Sequence, residues 1–416
     1  MIYLNDTFHS LEDIERRQRQ FEQIPALADC QGQRFGVCLA DPVEWIALCL
    51  YLKAHGGSAF PMHSATPLKA AQRLAERAHC HQLLFLSVQD PIAVSTRGKD
   101  EEPVLVQMSS GTTGEPKCIE RTWAAIDREI EAYVSHFTQA QDMQPVIACP
   151  VTHSYGLICG VLVALRRQLT PLIATNINPK YVLRKLREYP RSLLYSSPAQ
   201  LHTLISLLAP GQRLHGVMTS GTIMPRQWFE ALRDKTEHCF QQYGCSEAGC
   251  IAINRDMQAA NAIGQPLPHV RVTAGNGPDA PSEIQVVSDG RIICTRDLGY
   301  FDHEGTLHFL ARLDDTINVG GINVYPQEVE DVFLQRPEIR DAVVYKKPDP
   351  YAGERVCLKF VADELLEVGR LRAWSIDHLA PHQVPMDIRQ VSEIPKLANG
   401  KVNRRQLVDD LEALSA

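Results

Sequence analysis

The sequence predicts an α/β fold in two parts. Apolar strand-like runs alternate with amphipathic helices up to residue 260, short strands with Gly, Pro and Asp turns follow to 311, and a compact set of helical and strand patterns fills 312–416. Residues 10–27 read as an amphipathic helix: Ser10 with Asp13 forms a capping-box pattern, and Ile14, Phe21 and Ile24 fall near helical spacing. Residues 34–40 form a short buried-strand pattern, 43–55 a helix closed by Gly56-Gly57, 67–79 a second helix, and 83–87 another apolar strand. After residue 103 the alternation resumes, with strand-like runs at 104–108, 146–148, 192–195 and 216–219 and helical stretches between them. From 260 to 311 the runs at 270–274, 283–287, 292–294 and 307–310 predict a small, largely antiparallel lobe. The domain boundary is placed between 311 and 312, with residues 1–311 in front of it and 312–416 behind.

Composition narrows the class. The chain has 416 residues, 44% hydrophobic and 22% charged, within the globular range and too long for one core. A net charge of -7 argues against nucleic acid as the main partner. No basic segment followed by an apolar stretch opens the chain, and the longest apolar run, near 45–52, is far short of a membrane span. Twelve cysteines are scattered along it, which predicts reduced, mostly buried thiols and a cytoplasmic location. His79-Cys80-His81 looks metal-like but falls at a helix end with no second pair, and Cys239, Cys245 and Cys250 lack zinc spacing.

The most informative segment is Ser109-Ser110-Gly111-Thr112-Thr113-Gly114-Glu115-Pro116-Lys117. Its glycines let backbone approach a ligand closely, its hydroxyls donate hydrogen bonds, and Lys117 closes it with positive charge, a combination suited to a polyphosphate. It is not a Walker A loop, because Cys118 stands where Ser or Thr would follow the lysine. Read by itself, it could equally be a polar turn between strands.

This loop resembles the phosphate loop of the adenylate-forming superfamily, which includes acyl-CoA synthetases, aryl-acid ligases, luciferases and peptide-synthetase adenylation domains. Further segments match in order. Gln242-Tyr243-Gly244-Cys245-Ser246-Glu247 resembles the family's YGxTE segment and Thr295-Arg296-Asp297-Leu298-Gly299-Tyr300 its TGDLGY segment. Ala311-Arg312-Leu313-Asp314-Asp315 is similar to the hinge, Gly320-Gly321-Ile322-Asn323-Val324-Tyr325-Pro326 to the segment after it, and Pro395-Lys396-Leu397-Ala398-Asn399-Gly400-Lys401 to the terminal lysine motif. The likeness covers nearly the whole chain. It implies a large N-terminal domain of sandwiched α/β sheets with the small β lobe, followed by a small mobile α+β domain.

The resemblance also assigns roles. Ser109, Ser110, Gly111, Thr112, Thr113, Gly114 and Lys117 would hold the phosphates of ATP. Ser220 and Gly221 would line the adenine and acyl sites, Tyr243 would stack on adenine beside Gly244, and Ser246 would reach the α-phosphate. Glu247 would bind Mg²⁺, Asp297 would accept both ribose hydroxyls, and Arg312 would reach the nucleotide. Lys401 would be the catalytic lysine, bridging the substrate carboxylate and the α-phosphate as negative charge builds. Asp314 would be the hinge, and Gly320 and Gly321 would line the thiol tunnel after rotation of the small domain. Arg296 departs from the family's usual Gly.

For the acid, Pro150-Val151-Thr152-His153-Ser154-Tyr155-Gly156-Leu157 resembles the segment that opens the acyl pocket. His153 matches a histidine beside the carboxylate and is the second catalytic candidate; Ser154, Tyr155, Gly156, Cys245 and Gly249 would line the pocket. Amino-acid-activating relatives place an aspartate here, and no acidic residue lies nearby in sequence, so an aryl or aliphatic acid is favoured over an amino acid. Relatives that read a 2-hydroxybenzoate have Asn at the Ser154 position, which disfavours salicylate-type acids. The resemblance thus implies ATP-dependent formation of an acyl-AMP, with Mg²⁺, and transfer to the phosphopantetheine thiol of CoA or an acyl carrier protein. Transfer to a non-thiol acceptor, and a non-catalytic nucleotide-binding relative, are the alternatives. The oligomeric state, monomer or homodimer, stays open.

Overall fold

In a computed structural model, which describes residues 1–94, 98–109, 117–396, 402, 404 and 407, the chain forms three sheets. The helix expected over 10–27 is two: Leu11–Phe21 starts on the Ser10–Asp13 capping box, with both reciprocal hydrogen bonds made, and Pro25–Ala28 is a separate turn. Pro25 explains the break, since it has no N–H to continue the helix and starts the next as its first residue.

The first sheet holds six strands, with Ser58–Pro61 and Gln82–Phe85 parallel on either side of Arg34–Cys38, and Val104–Ser109 pairing with Ser58–Pro61 on the other flank. Val104–Ser109 turns back as an antiparallel hairpin on Lys117–Thr122 in a register that sets Ser109 opposite Lys117. Helix Pro42–Ala54 is apolar nearly all round and buried between layers, as an all-apolar helix must be. Arg34, 1% exposed, is held by Asp100 at 3.0 Å and Glu120 at 2.6 Å, so the charge it buries is paired twice.

The second sheet is larger. Gln144–Ile147, Leu172–Ile173, Ser192–Ser196, Leu214–Thr219 and Thr236–Cys245 run parallel, with helices Pro179–Glu188, Pro198–Ser206 and Arg226–Asp234 in the connections. The short strands expected between 260 and 311 are present and largely antiparallel, and they continue the large sheet. The short strands after residue 260 do not make a separate sheet: Gly249–Asn254 pairs antiparallel with Thr236–Cys245 and then with Ala262–Pro266, which carries the ladder on into Leu307–Arg312 and Arg291–Phe301. The sequence texture marked the change from parallel to antiparallel but not the unbroken hydrogen bonding.

The last strand of the large sheet ends at Arg312, and a third sheet of five strands starts at Ile317–Val319. It packs its own core, with Val329, Phe333, Val344, Leu358 and Phe360, against helix Pro326–Phe333. All twelve cysteines are unbonded, and Cys30, Cys38, Cys49, Cys80, Cys159, Cys239, Cys250 and Cys357 are buried. In the metal-like triplet, His81 accepts a hydrogen bond from Arg34 N at 2.8 Å and Cys80 is core. Among the described residues, no helix is long and apolar enough to cross a membrane.

Candidate active site

The carboxyl ends of the parallel strands in the two sheets converge, the position where open α/β sheets bind ligands. The residues just beyond them enclose a cavity of about 1470 Å³: Met62 and His63 after Ser58–Pro61, Ala148 to Gly156 after Gln144–Ile147, Ser197 after Ser192–Ser196, Ser220 and Gly221 after Leu214–Thr219, and Gly244, Cys245 and Ser246 at the end of Thr236–Cys245. Segments some 200 positions apart in the chain therefore share one space.

Ser154, Tyr155 and Gly156 enter it together. They begin a wide helical turn, Tyr155–Leu162, of the π type. Ser154 Oγ donates to Gln107 Oε1, which ties this turn to strand Val104–Ser109. Tyr155 donates to the carbonyls of Met218 and Ser196, at the ends of two parallel strands, and its phenol is driven well above the usual range by burial. A Cβ on Gly156 would collide with the Pro150 carbonyl, so only glycine lets the turn start here. His153 opens onto the cavity, but atoms crowding the ring deny it full hydration; this desolvation, with the neighbouring His63 second, holds its pKa below the ordinary histidine value.

His202 and His269 are lowered by burial too; His269 also feels Glu129, which opposes the shift, and Arg121, which adds to it. A histidine whose folded pKa is depressed stays neutral in the fold while the unfolded chain binds the proton, so stability rises with pH across that interval. The fold is therefore expected to melt at a lower temperature as pH falls from 7.5 to 5.5, through the unfolded histidine value near 6.5. A melting temperature that rises over the same interval contradicts this.

Gly244, Cys245, Ser246 and Gly249 lie at the tight return between Thr236–Cys245 and Gly249–Asn254. Gly249 has φ +75°, and a Cβ there would collide with Arg121 Nη1 and Glu129 Oε2. Gly249→Ala should therefore cost about 3 kcal/mol, adding overpacking to left-handed strain. Gly320→Ala, also at positive φ (+59°) but in open space, should cost about 1 kcal/mol. Thermal denaturation compares the two; equal losses would mean that the buried contact at Gly249 carries no weight. Glu247 is exposed at the same return, and burial together with its carboxylate pushes the Cys245 thiol up to about 12.

A second group sits on the antiparallel part of the sheet. Tyr243 is 9% exposed and packs with Ala248, Ile251 and Ile263, and its hydroxyl donates to Asp297 Oδ2 at 2.7 Å. Asp297, 5% exposed, also pairs with Arg312 Nε at 3.2 Å. Tyr243 and Gly244 are consecutive, so this group is joined directly to the cavity wall. Arg296 holds φ +63°, where a glycine is at ease; its backbone N–H donates to Glu283 and its guanidinium to Asp314 at 2.7 Å. Gly320 and Gly321, at φ +59° and +90°, make the two-residue turn between Ile317–Val319 and Ile322–Val324 and are exposed. Lys117 is exposed at the start of its strand, and at Ser109 the backbone alone is described. Ser110, Gly111, Thr112, Thr113, Gly114 and Lys401 lie outside the described residues.

Sequence reasoning missed Glu129. It found no acidic side chain near 150–157, but helix Trp123–His136 brings Glu129, 1% exposed, into the cavity wall. Its carboxylate accepts from Arg121 Nη2 at 2.6 Å and from Cys250 N at 2.7 Å. The signal was available: Glu129 stands on the apolar stripe of Ile126, Ile130 and Tyr133, a place for a buried residue.

Comparison with known proteins agrees along the chain. A model of the family described as AMP-binding enzyme matches residues 59–281, and one of the AMP-binding enzyme C-terminal domain matches 328–401. A 3,4-dihydroxybenzoate–[aryl-carrier protein] ligase of Bacillus anthracis is 39% identical over 408 residues, 98% of each chain. A 2-succinylbenzoate–CoA ligase of Lactococcus lactis is 25% identical over 339 residues, 76% of this chain and 73% of the relative. Among solved structures, an o-succinylbenzoate CoA synthetase from Bacillus subtilis, in complex with its acyl-adenylate intermediate, superposes with a TM-score of 0.83 at 22% identity over 98% of this chain and 95% of that one. An amide bond synthetase from Marinactinospora thermotolerans gives 0.80 at 22% identity over 98% and 96%.

Proposed function

The chain belongs to the AMP-binding enzyme family, and from that premise we propose that it activates an aryl acid as its acyl-AMP with ATP and Mg²⁺ and then passes the acyl group to a phosphopantetheine thiol. The observation that carries the proposal is the convergence of His153, Ser154, Ser220, Gly244 and Ser246 on one cavity at the strand ends, where Gln107 and Met108 of strand Val104–Ser109 also line the wall.

Each residue then has a chemical task. The loop and Lys117 hold the phosphates. Ser246 donates to the α-phosphate, and Glu247, exposed and next in the chain to the cavity-lining Ser246, is the hard oxygen ligand for Mg²⁺. Asp297 takes the ribose: a carboxylate has acceptor sites for several donors, so the diol adds to Tyr243 and Arg312 without displacing them. Tyr243, buried with its hydroxyl on Asp297, then both supports adenine and fixes that carboxylate. His153, whose pKa is lowered chiefly by desolvation, sits beside the substrate carboxylate, and the lowered pKa disfavours an ion pair there. Lys401 arrives with the small domain to stabilise the charge of the adenylation transition state, and Gly320 and Gly321 replace it when that domain turns about Asp314.

An aryl acid is favoured because Trp45, Phe60, Met108 and Tyr155 line the cavity, and because the 39% identical relative is named for an aryl acid. The same relative favours a carrier protein as acceptor, with CoA next. The test incubates the protein with ATP, Mg²⁺, hydroxybenzoates and either a phosphopantetheinylated carrier protein or CoA, and follows AMP release and thioester mass. AMP release with no thioester on either acceptor would move the second step to a non-thiol acceptor.

A further inference from the structure

We propose that Glu129, backed by Arg121, is a specificity-determining residue that accepts a hydrogen bond from a ring hydroxyl of the acid, at the end remote from its carboxylate. This rests on the reading of the cavity as the acyl site and names the substrate class as a meta- or para-hydroxylated aryl acid.

Most of the acyl cavity wall is apolar, yet it includes a buried ion pair. Arg121 and Glu129 are 8% and 1% exposed, at 2.6 Å. Burying both charges is costly, and apolar residues of similar size would hold the fold as well or better. Their site is polar beyond what packing requires: Gln242 Nε2 donates to Cys159 Sγ at 3.2 Å, Tyr133 donates to Gln242 Oε1 at 3.1 Å, and Cys250 N donates to Glu129 Oε1 at 2.7 Å. Glu129, Gln242, Cys159 and Cys250 all line the cavity. Among the described residues Arg121 Nη1 has no hydrogen-bond partner although it is buried.

The position along the cavity sets which hydroxyl is read. Ser154 bonds to Gln107 on strand Val104–Ser109, which precedes the proposed phosphate loop in the chain, so this end holds the carboxylate. Cys159 stands one turn further along Tyr155–Leu162, and its sulfur lies 4.0 Å from Glu129 Oε1. One helical turn advances roughly 5 Å, about the reach across a benzene ring from a carboxylate to the far side. A hydroxyl beside the carboxylate would stop short of Glu129.

The charge balance selects a phenol over an amine. Glu129 Oε1 accepts from Cys250 N at 2.7 Å and from Cys159 Sγ at 4.0 Å, and Oε2 accepts from Arg121 Nη2 at 2.6 Å, so Oε2 keeps lone-pair capacity for another donor. Its negative charge is matched by Arg121, so a substrate ammonium would be a second buried cation on one carboxylate. A neutral phenol O–H satisfies the free acceptor and adds no charge. A benzoate without the hydroxyl would leave that lone pair without a donor in a site closed to water, which disfavours it against the hydroxylated acid.

The test measures acid-dependent ATP–pyrophosphate exchange with benzoate, 2-, 3- and 4-hydroxybenzoate and 3,4-dihydroxybenzoate. The natural enzyme is expected to favour 3- or 4-hydroxylated acids over benzoate by about 10²-fold or more in kcat/KM. Glu129→Gln should shrink that ratio below about 10-fold, by loss on the hydroxylated acids, with benzoate held within a few-fold. If that variant does not fold, Arg121→Met with Glu129→Leu replaces the pair by apolar residues of similar size and should show the same flattening. Equal use of benzoate and its hydroxylated analogues, or a preference that survives in a folded variant, overturns the proposal and leaves the acyl-AMP reading standing. Exchange with no acid on the panel overturns both.

Discussion

Lys401→Ala is expected to abolish acyl-AMP formation, lowering acid-dependent exchange by on the order of 10³-fold, and to leave thioester formation from a supplied acyl-AMP within a few-fold of the natural enzyme. When the carboxylate oxygen attacks the α-phosphate, negative charge grows on the phosphoryl oxygens in a site where water is sparse. One positioned ammonium stabilises that charge far more than it does the ground state, so its loss falls on the first half-reaction. In the proposed scheme the thiol step uses another placement of the small domain, one that does not call on Lys401. Equal loss in both half-reactions would remove the two-placement scheme.

Asp297→Ala carries the second large effect. It is expected to raise KM for ATP by about 10²-fold, roughly 3 kcal/mol, for the loss of charge-assisted bonds to the ribose diol. The ranking of acids should not change, because Asp297 lies on strand Arg291–Phe301 and does not line the cavity proposed for the acid. Asp297→Asn separates binding from folding: it keeps one acceptor for Tyr243 and still weakens the ribose contact. A changed acid ranking in either variant would show that the nucleotide has been misplaced.

Local patterns revealed the outline of both halves. The strands flanking the cavity, the Ser10–Asp13 cap and the break in texture near 312 are written in apolar period, capping residues and turn residues, all of which act over a few positions. Long-range contacts left no such trace. Nothing in the run from 262 to 312 announces that its strands extend the parallel sheet, since the pairing of Gly249–Asn254 with Ala262–Pro266 depends on register between segments. Ser154 and Gln107, the Arg296–Asp314 pair and the approach of Glu129 to Cys250 join residues 47, 18 and 121 positions apart. The ordered motifs carry the family resemblance, and the nucleotide side is proposed from them, because phosphate, ribose and metal demand fixed residue types. The acyl side varies with its acid, and Glu129, the buried carboxylate of the cavity wall, stands on a helix that pattern reading assigns to the core.

The most direct test of acid activation is ATP–pyrophosphate exchange with Mg²⁺ over a panel of hydroxybenzoic, cinnamic, fatty and amino acids, with Lys401→Ala as control. Exchange that depends on an aryl acid and disappears in the variant is the expected result. Exchange driven by amino acids, or persisting undiminished in Lys401→Ala, would contradict it.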